Sequence, residues 1–288
     1  MYDMLIWTPH AKHDLARLYE TQGFAIVRAG LDIGLVSEVE HTLKELMARR
    51  ARLVEVAIPR AADLDESLDL LRERLPNIER ELMLAIREAP AFRELVFSGG
   101  LQELVDAVSP SSARHFSMDF CMMRIDTRES EERRFDWHFD TAYTALPPSA
   151  VTCWIPITRV EPEMGCMRVL PGSHRQPRRV RFKTDLEQKR FSAPKRIELT
   201  HVDTDVLERE SVELPALGPG DVVLLHGWLL HRSGHNDSPK ARWICNPRFC
   251  DLWDREFVQS GWRASRSGTP WAFGEQHPEL VDEDTADA

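Results

Sequence analysis

The sequence lacks the features that mark several classes of protein. No window approaches 18 uninterrupted apolar residues, so we expect no transmembrane helix. The first residues, MYDMLIWTPHAKHDL, contain no basic region and no small-residue cleavage site, so we predict no signal peptide. The five cysteines form no C-x-x-C pair, which argues against a zinc knuckle or a redox dithiol. We therefore expect a cytoplasmic protein with free thiols.

The charge balance limits the class of partner. The formal net charge of −10 disfavours a nucleic acid or an anionic membrane as the binding partner. One local exception runs from residue 175 to residue 196, with nine Lys or Arg against two acidic residues. This basic segment is either a solvated loop or, within 175–201, a lid over an active site that helps to hold an anionic substrate. The sequence alone leaves both interpretations open.

The chain divides into a helical part and a β part. Helical spacing of apolar residues up to about residue 110 predicts a strand at 24–28 and several helices, one of them interrupted at Pro76. The helices are expected at 10–23, 35–53, 66–87, 90–97 and 100–108. We expect a single domain over 1–275, in which 1–110 supports a β core at 111–250. Residues 276–288 are predicted to be an acidic, disordered tail.

Short β-like runs separated by turn residues come after Pro110, which is typical of a sandwich or barrel and not of alternating βα units. The predicted strands lie within 115–126, 135–140, 149–157, 165–171, 211–217, 221–227 and 240–249. The GPGD sequence at 218–221 predicts a turn into one of them. No internal repeat or low-complexity tract is present.

A candidate metal site begins with the sequence His138-Phe139-Asp140. In an extended segment, residues i and i+2 point the same way, so both side chains could reach one ion. A second histidine would complete a two-histidine, one-carboxylate triad, which suits Fe(II) and leaves coordination positions open. An H-x-D sequence alone is weak evidence, because it occurs by chance in many proteins of this size.

Two histidines, His226 and His231, could be the third ligand. We favour His231 because it precedes a polar segment that we expect to form a hairpin loop, after which the chain returns as a predicted strand that carries Arg242, 11 residues further on. An arginine close to the metal is the expected anchor for the distal carboxylate of 2-oxoglutarate, since guanidinium binds carboxylates bidentately. Ser233 could donate a second hydrogen bond to the same carboxylate.

Two long segments resemble the phytanoyl-CoA dioxygenase (PhyH) family of Fe(II)/2-oxoglutarate oxygenases: WHFDTAYTALPPSAVTCWIPITRVEPEMGCMRVLPGSHR and GDVVLLHGWLLHRSGHNDSPKARW. The resemblance implies a mainly β fold with flanking helices, a double-stranded β-helix (a cupin-like jelly roll) with an N-terminal helical layer. It implies iron at the positions matching His138, Asp140 and His231, and 2-oxoglutarate at those matching Arg242 and Ser233. Trp154 matches a tryptophan of the co-substrate pocket, although it also fits a core position.

The resemblance further implies that O₂ and 2-oxoglutarate are consumed, with release of succinate and CO₂, while a small-molecule metabolite is oxidised. Related halogenases replace the carboxylate ligand with a small residue, so Asp140 favours hydroxylation or a related oxidation. Two alternatives remain: a metal-dependent cupin enzyme that does not use 2-oxoglutarate, and an inactive binding module of the same fold. A polar substrate is expected, with Tyr143, Met122, Arg168 and the 175–196 segment as candidate contacts.

Overall fold

The computed structural model of the chain describes residues 6–7, 12–116, 121–130, 134–182, 197–263 and 269–282. These residues contain ten α-helices: α1 (Lys12–Gln22), α2 (Ile33–Leu53), α3 (Leu64–Arg72), α4 (Ile78–Glu88), α5 (Pro90–Val96), α6 (Gly99–Val108), α7 (Thr141–Thr144), α8 (Thr204–Glu210), α9 (Arg255–Gln259) and α10 (Thr269–Gln276). Six of the ten lie before residue 110, where the helical periodicity predicts them.

The same residues contain thirteen strands: β1 (Ile6–Trp7), β2 (Phe24–Val27), β3 (Arg114–Phe116), β4 (Met122–Asp126), β5 (Val151–Pro156), β6 (Arg168–Val169), β7 (Val180–Phe182), β8 (Ile197–Leu199), β9 (Val212–Glu213), β10 (Val222–His226), β11 (His231–Arg232), β12 (Arg242–Asn246) and β13 (Arg248–Asp251). Eight of them form one sheet in the order β1-β2-β10-β5-β12-β4, with β13 joining β5 to β3. A second sheet has the order β11-β6-β9, and β7 pairs with β8. Every pair except β1–β2 is antiparallel.

The central strands of the large sheet are apolar on both faces because both faces are covered. One face packs on the N-terminal helices, and alternate residues of a strand, such as Trp243 and Cys245 of β12, point into that core. Ile244, between them, points to the opposite face, where a second core lies against the three-stranded sheet. This two-sided burial explains the nearly continuous apolar runs of β5 and β10. The candidate metal ligands lie on the second face.

Local sequence signals account for the ends of several helices. The predicted helix at 66–87 is two helices, and the break between α3 and α4 contains Pro76, as expected. The side chain of Asp63 accepts a hydrogen bond from the backbone of Glu66, whose carboxylate accepts one from the backbone of Asp63. This capping box begins α3. Pro90 occupies the first turn of α5, where its missing N–H costs nothing.

Several segments differ from the sequence-based expectation. Residues 240–249 are two strands, since Pro247 interrupts the run and lacks the N–H that a ladder requires. The turn after His231 is not a hairpin: β11 and β12 belong to different sheets, so the segment crosses from one sheet to the other. Within the predicted tail, the backbone N–H of Asp282 donates to the carbonyl of Val180, so residues 276–282 join the fold.

The basic segment 175–201 is only partly described. Its two ends form the β7–β8 pair, in which Arg181 lies opposite Glu198. Residues 183–196, where most of the expected lid falls, lie outside the described residues. In the part of the chain that is described, no helix combines the length and apolar character needed to cross a membrane.

Candidate metal site

Two backbone hydrogen bonds join His138 and His231. The N–H of His138 donates to the carbonyl of His231 at 3.0 Å, and the N–H of His231 donates to the carbonyl of His138 at 2.9 Å. This isolated antiparallel bridge ties the segment after residue 134 to β11. It also sets the two imidazole rings side by side, with 4.2 Å between their centroids.

The surrounding backbone fixes the tautomer of both rings. Nδ1 of His138 lies 2.7 Å from the carbonyl oxygen of Asp136, and Nδ1 of His231 lies 3.0 Å from that of Leu229. A carbonyl can only accept, so each Nδ1 carries the proton and each Nε2 has a free lone pair. Burial lowers the pKa of His138 to about 3 and also lowers that of His231, which keeps both rings neutral.

Asp140 completes the group, although the geometry differs from the extended segment that the sequence suggested. Its backbone is helical (φ −63°, ψ −35°) and precedes α7, so Asp140 is not part of the extended segment predicted at 135–140. The short helix forms because the backbone N–H groups of Tyr143 and Thr144 donate to the carbonyl of Asp140. One ligand atom from each of His138, Asp140 and His231 nevertheless lies within 4.8 Å of the others, and all three residues are buried.

The carboxylate of Asp140 is held by two side chains that sequence reasoning missed. The hydroxyl of Thr152 donates to Oδ2 at 2.5 Å. Arg248 donates to Oδ2 through Nε at 3.3 Å and to Oδ1 through Nη2 at 3.2 Å. Burial alone would raise the pKa of Asp140, but the charged guanidinium group of Arg248 holds it below its ordinary value. Asp140 is therefore an ionised carboxylate facing two neutral imidazoles.

Arg242 lies where two loops cross at a pair of glycines. Its Nη1 donates to the carbonyls of Gly165 and Gly234. Gly165 has a φ of +74°, and a Cβ there would lie 2.6 Å from the carbonyl carbon of Gly234. Only glycine permits this close approach. The crossing thus orients a buried guanidinium beside the second core.

Two charged side chains of β4, Asp126 and Arg124, lie near Arg242. Nη2 of Arg242 lies 3.6 Å from Oδ2 of Asp126, which is beyond hydrogen-bond distance. Asp126 instead accepts two hydrogen bonds from Arg124, at 2.9 and 3.1 Å. Arg124 also lies over the ring of Phe135. Two guanidinium groups thus share one carboxylate.

Of the other residues expected to bind the co-substrate, Ser233 adjoins the loop crossing at Arg242, and Trp154 lies in the core between the two sheets. Ser233 directly precedes Gly234, and its N–H donates to the carbonyl of Phe135. Trp154 belongs to the core between the two sheets, on the same side of β5 as Thr152. Asn246, which the sequence did not single out, is buried, and its Oδ1 has no hydrogen-bond partner among the described residues. The polar residues Arg242, Asn246 and Arg248 could have revealed these positions, because they stand at the ends of two otherwise mostly apolar strands, β12 and β13.

The other residues predicted to contact the substrate lie in different parts of the fold. The ring of Tyr143 contacts His138 edge-on, with 5.4 Å between centroids, and burial raises its pKa. Met122 begins β4, two residues before Arg124. Arg168 donates to Ser211 and Glu213, within the three-stranded sheet.

His226, the alternative candidate for the third metal ligand, lies elsewhere in the fold. His226 contacts the rings of Tyr19 and His174 and is absent from the candidate ligand group. Its Nδ1 accepts a hydrogen bond from the backbone N–H of Trp228. The structure therefore brings His231, and not His226, together with His138 and Asp140.

The chain belongs to the phytanoyl-CoA dioxygenase (PhyH) family, whose sequence model matches residues 19–244. It is 28% identical over 116 residues to phytanoyl-CoA dioxygenase 1 of Oryza sativa subsp. japonica. That alignment covers 40% of this chain and 38% of the rice protein, so the matched part is well under two thirds of the relative's length. The resemblance seen in the two long segments is confirmed.

Solved structures share the fold. The epimerase SnoN, in complex with Fe3+, alpha ketoglutarate and nogalamycin RO, is 21% identical with a TM-score of 0.56, over 85% of both chains. The carbocyclase SnoK from nogalamycin biosynthesis is 19% identical with a TM-score of 0.54, over 85% of both chains. The apoform of EctD from S. alaskensis is 17% identical with a TM-score of 0.55, over 86% of this chain and 81% of the other.

Replacing Gly165 by alanine is expected to lower the free energy of unfolding by more than the cost of placing alanine at a positive φ. The control is Gly220→Ala, since Gly220 has a φ of +89° but its Cβ would meet nothing closer than 3.4 Å. The control should lose about 1–2 kcal/mol, and Gly165→Ala should lose clearly more, because it collides with backbone. Urea unfolding of both variants measures the difference; equal losses would contradict a tight crossing at Arg242.

The metal-free protein should lose stability as the pH falls from about 7 to about 5. The pKa values of His138, His231 and His226 are lowered by burial in the folded chain. The unfolded chain therefore takes up protons first, below about pH 6.5, and each group lowers the unfolding free energy by up to about 1.4 kcal/mol per pH unit. Urea unfolding across this range measures the slope.

A pair of variants controls the pH experiment. His226→Phe removes one of these titrating rings and should make the slope shallower. Replacement of the exposed His41 by Gln should leave the slope unchanged. An unfolding free energy that does not change with pH over this range would contradict the burial of neutral imidazoles.

Proposed function

We propose that this protein is an Fe(II)- and 2-oxoglutarate-dependent dioxygenase that oxidises a small polar metabolite. The observation that carries the proposal is the arrangement of His138, Asp140 and His231, whose ligand atoms lie within 4.8 Å of one another. Two neutral nitrogens and one carboxylate form the facial triad that suits Fe(II) and leaves positions open for a co-substrate and O₂. Membership of the phytanoyl-CoA dioxygenase family supports the same function.

The donor set fits a divalent metal ion. Both imidazoles have their protons on Nδ1, donated to backbone carbonyls, so Nε2 of His138 and of His231 is available without loss of a proton. Asp140 supplies the single negative charge of the set. Such hydrogen bonds to the distal nitrogen fix ring orientation at metal sites and raise the basicity of the ligand.

The surroundings of Arg242 fit the distal carboxylate of 2-oxoglutarate. Two carbonyls occupy Nη1, whereas Nε and Nη2 form no hydrogen bond with the described residues. Nε and Nη2 form an edge of the guanidinium group that can receive a carboxylate bidentately. Asp126, the nearest acidic group, is engaged by Arg124. Ser233 adjoins this region, and Trp154 belongs to the apolar core between the two sheets.

In this mechanism, bound iron supplies the redox chemistry by which 2-oxoglutarate and O₂ become succinate and CO₂ while a substrate C–H bond is oxidised. The chain holds the reactants and excludes water. Arg242 orients the co-substrate through its distal carboxylate, and the imidazole pair keeps its lone pairs directed at one point. The apolar residues around Trp154 and Phe139 shield the centre, which limits side reactions.

A polar substrate is supported by the unused hydrogen-bonding capacity near the metal ligands. Asn246 has a buried Oδ1 without a partner among the described residues, and a substrate hydroxyl or amine could donate to it. Arg124 adds a positive charge on the neighbouring strand, and Tyr143 lies against His138. Screening polar metabolites for stimulation of succinate release from 2-oxoglutarate identifies the substrate. Release that needs no metal would instead exclude the proposed chemistry.

Alanine at position 138, 140 or 231 should reduce metal-dependent succinate formation by more than about 100-fold, because changes in the outer shell of metal sites already cost 10–100-fold. His226→Ala is the matched control, since His226 is a partly buried histidine of β10, the strand before β11 in the chain, and lies outside the ligand group. It should keep most of the activity. Succinate is measured with Fe(II) in excess. Normal turnover by the His231 variant would reject that ligand.

Arg242→Ala should mainly raise the KM for 2-oxoglutarate, by about tenfold to a hundredfold, because a hydrogen bond to a charged group contributes about 1.5–3 kcal/mol. The control is Arg28→Ala, which removes the remote ion pair with Asp221. Its KM should be that of the unmodified protein. Fe(II) affinity, measured by titration, should be unchanged in both variants. An unaltered KM in the Arg242 variant would place the co-substrate elsewhere.

A further inference from the structure

The most fully enclosed ion pair near the candidate ligands, within the described part of the chain, is the one between Arg248 and Asp140. Their side chains are 9% and 8% exposed. Arg248 begins β13 and lies directly opposite Thr152 of β5 in the strand register. These two cross-strand neighbours bind the same carboxylate from one side. The sheet itself therefore fixes the position of Asp140.

The hydrogen bonds distinguish the two oxygens of that carboxylate. An ionised carboxylate has about four lone-pair sites, two on each oxygen. Both sites on Oδ2 are used, by Thr152 at 2.5 Å and by Nε of Arg248 at 3.3 Å. Among the described residues, Oδ1 accepts only from Nη2 of Arg248, at 3.2 Å. One lone pair therefore remains, and it belongs to Oδ1.

We propose that Arg248 is a positioning residue that presents Asp140 to the metal as a monodentate ligand through Oδ1. The proposal rests on the metal site described under the proposed function. With Oδ2 held by Thr152 and Arg248, the carboxylate cannot turn to give both oxygens to the ion. One more coordination position is thereby kept open for a co-substrate or O₂.

The shape of the arginine matters to this role as well as its charge. The planar guanidinium group spans both carboxylate oxygens with two parallel N–H groups, which a lysine ammonium cannot reproduce. Since the pair is buried, Asp140 has few other partners that could hold it in the same orientation. Without the guanidinium group of Arg248, the carboxylate of Asp140 is free to rotate. The free energy of metal binding must then include the cost of ordering this carboxylate.

The test is a titration of the metal-free protein with Co(II), monitored by its visible absorption, which reports both affinity and coordination geometry without turnover. Arg248→Lys and Arg248→Met should each weaken Co(II) binding by about 10–100-fold. Both should also change the absorption spectrum, because the carboxylate becomes able to bind through two oxygens. Thr152→Val should shift both measurements in the same direction by a smaller amount.

The matched control is Arg72→Lys, which alters another partly buried arginine, bound to Glu79 at 2.6 Å far along the chain from the ligands. It should leave affinity and spectrum unchanged. If Arg248→Met does not fold, Arg248→Lys and Thr152→Val decide the question. Unchanged or tighter Co(II) binding with an unchanged spectrum in those two variants would overturn the positioning role. Failure of the unmodified protein to bind Co(II) would instead overturn the metal site.

Discussion

The reciprocal hydrogen bonds between His138 and His231 are the constraint on which the candidate site depends. They connect the segment before α7 to the small sheet and bring together residues that are 93 positions apart. The same backbone then supplies the carbonyls of Asp136 and Leu229, which orient the rings. A metal site needs its ligands held before the ion arrives, because ordering them otherwise subtracts from the binding free energy. Here the backbone provides that order for the histidines, and β5 with β13 provides it for Asp140.

The buried charged side chains around these ligands form two groups of ion pairs. Asp140 is paired with Arg248, whereas Asp126 is shared by Arg124 and Arg242. Burying charge is costly unless each group has a partner, so removing one partner should be worse than removing both. The dianionic co-substrate proposed for this site would be held by Arg242, just as the divalent ion would be held in part by Asp140.

Sequence patterns predicted much of this arrangement, and physical reasons explain what they missed. Helical periodicity placed α2, α5 and α6 to within two residues, since each buries one continuous stripe. The polar turn and the arginine strand after His231 favoured it over His226, and the ligand group contains His231.

Arg248 was missed because its role depends on strand register: Pro247 shifts the chain from β12 to β13, and only then does Arg248 face Thr152. The helical backbone of Asp140 could not be predicted from the local sequence either, because α7 is too short to show helical periodicity. The jelly-roll topology remains a prediction.

The most direct test of the central claim is an anaerobic titration of the metal-free protein with Fe(II) and then 2-oxoglutarate, monitored by visible absorption. Chelation of iron by the keto acid produces a charge-transfer band that neither component gives alone. The account predicts that the band appears with one equivalent of each in the unmodified protein. It should be absent from His231→Ala and should require more 2-oxoglutarate in Arg242→Ala. Stoichiometric iron binding without any spectral response to 2-oxoglutarate would contradict the account.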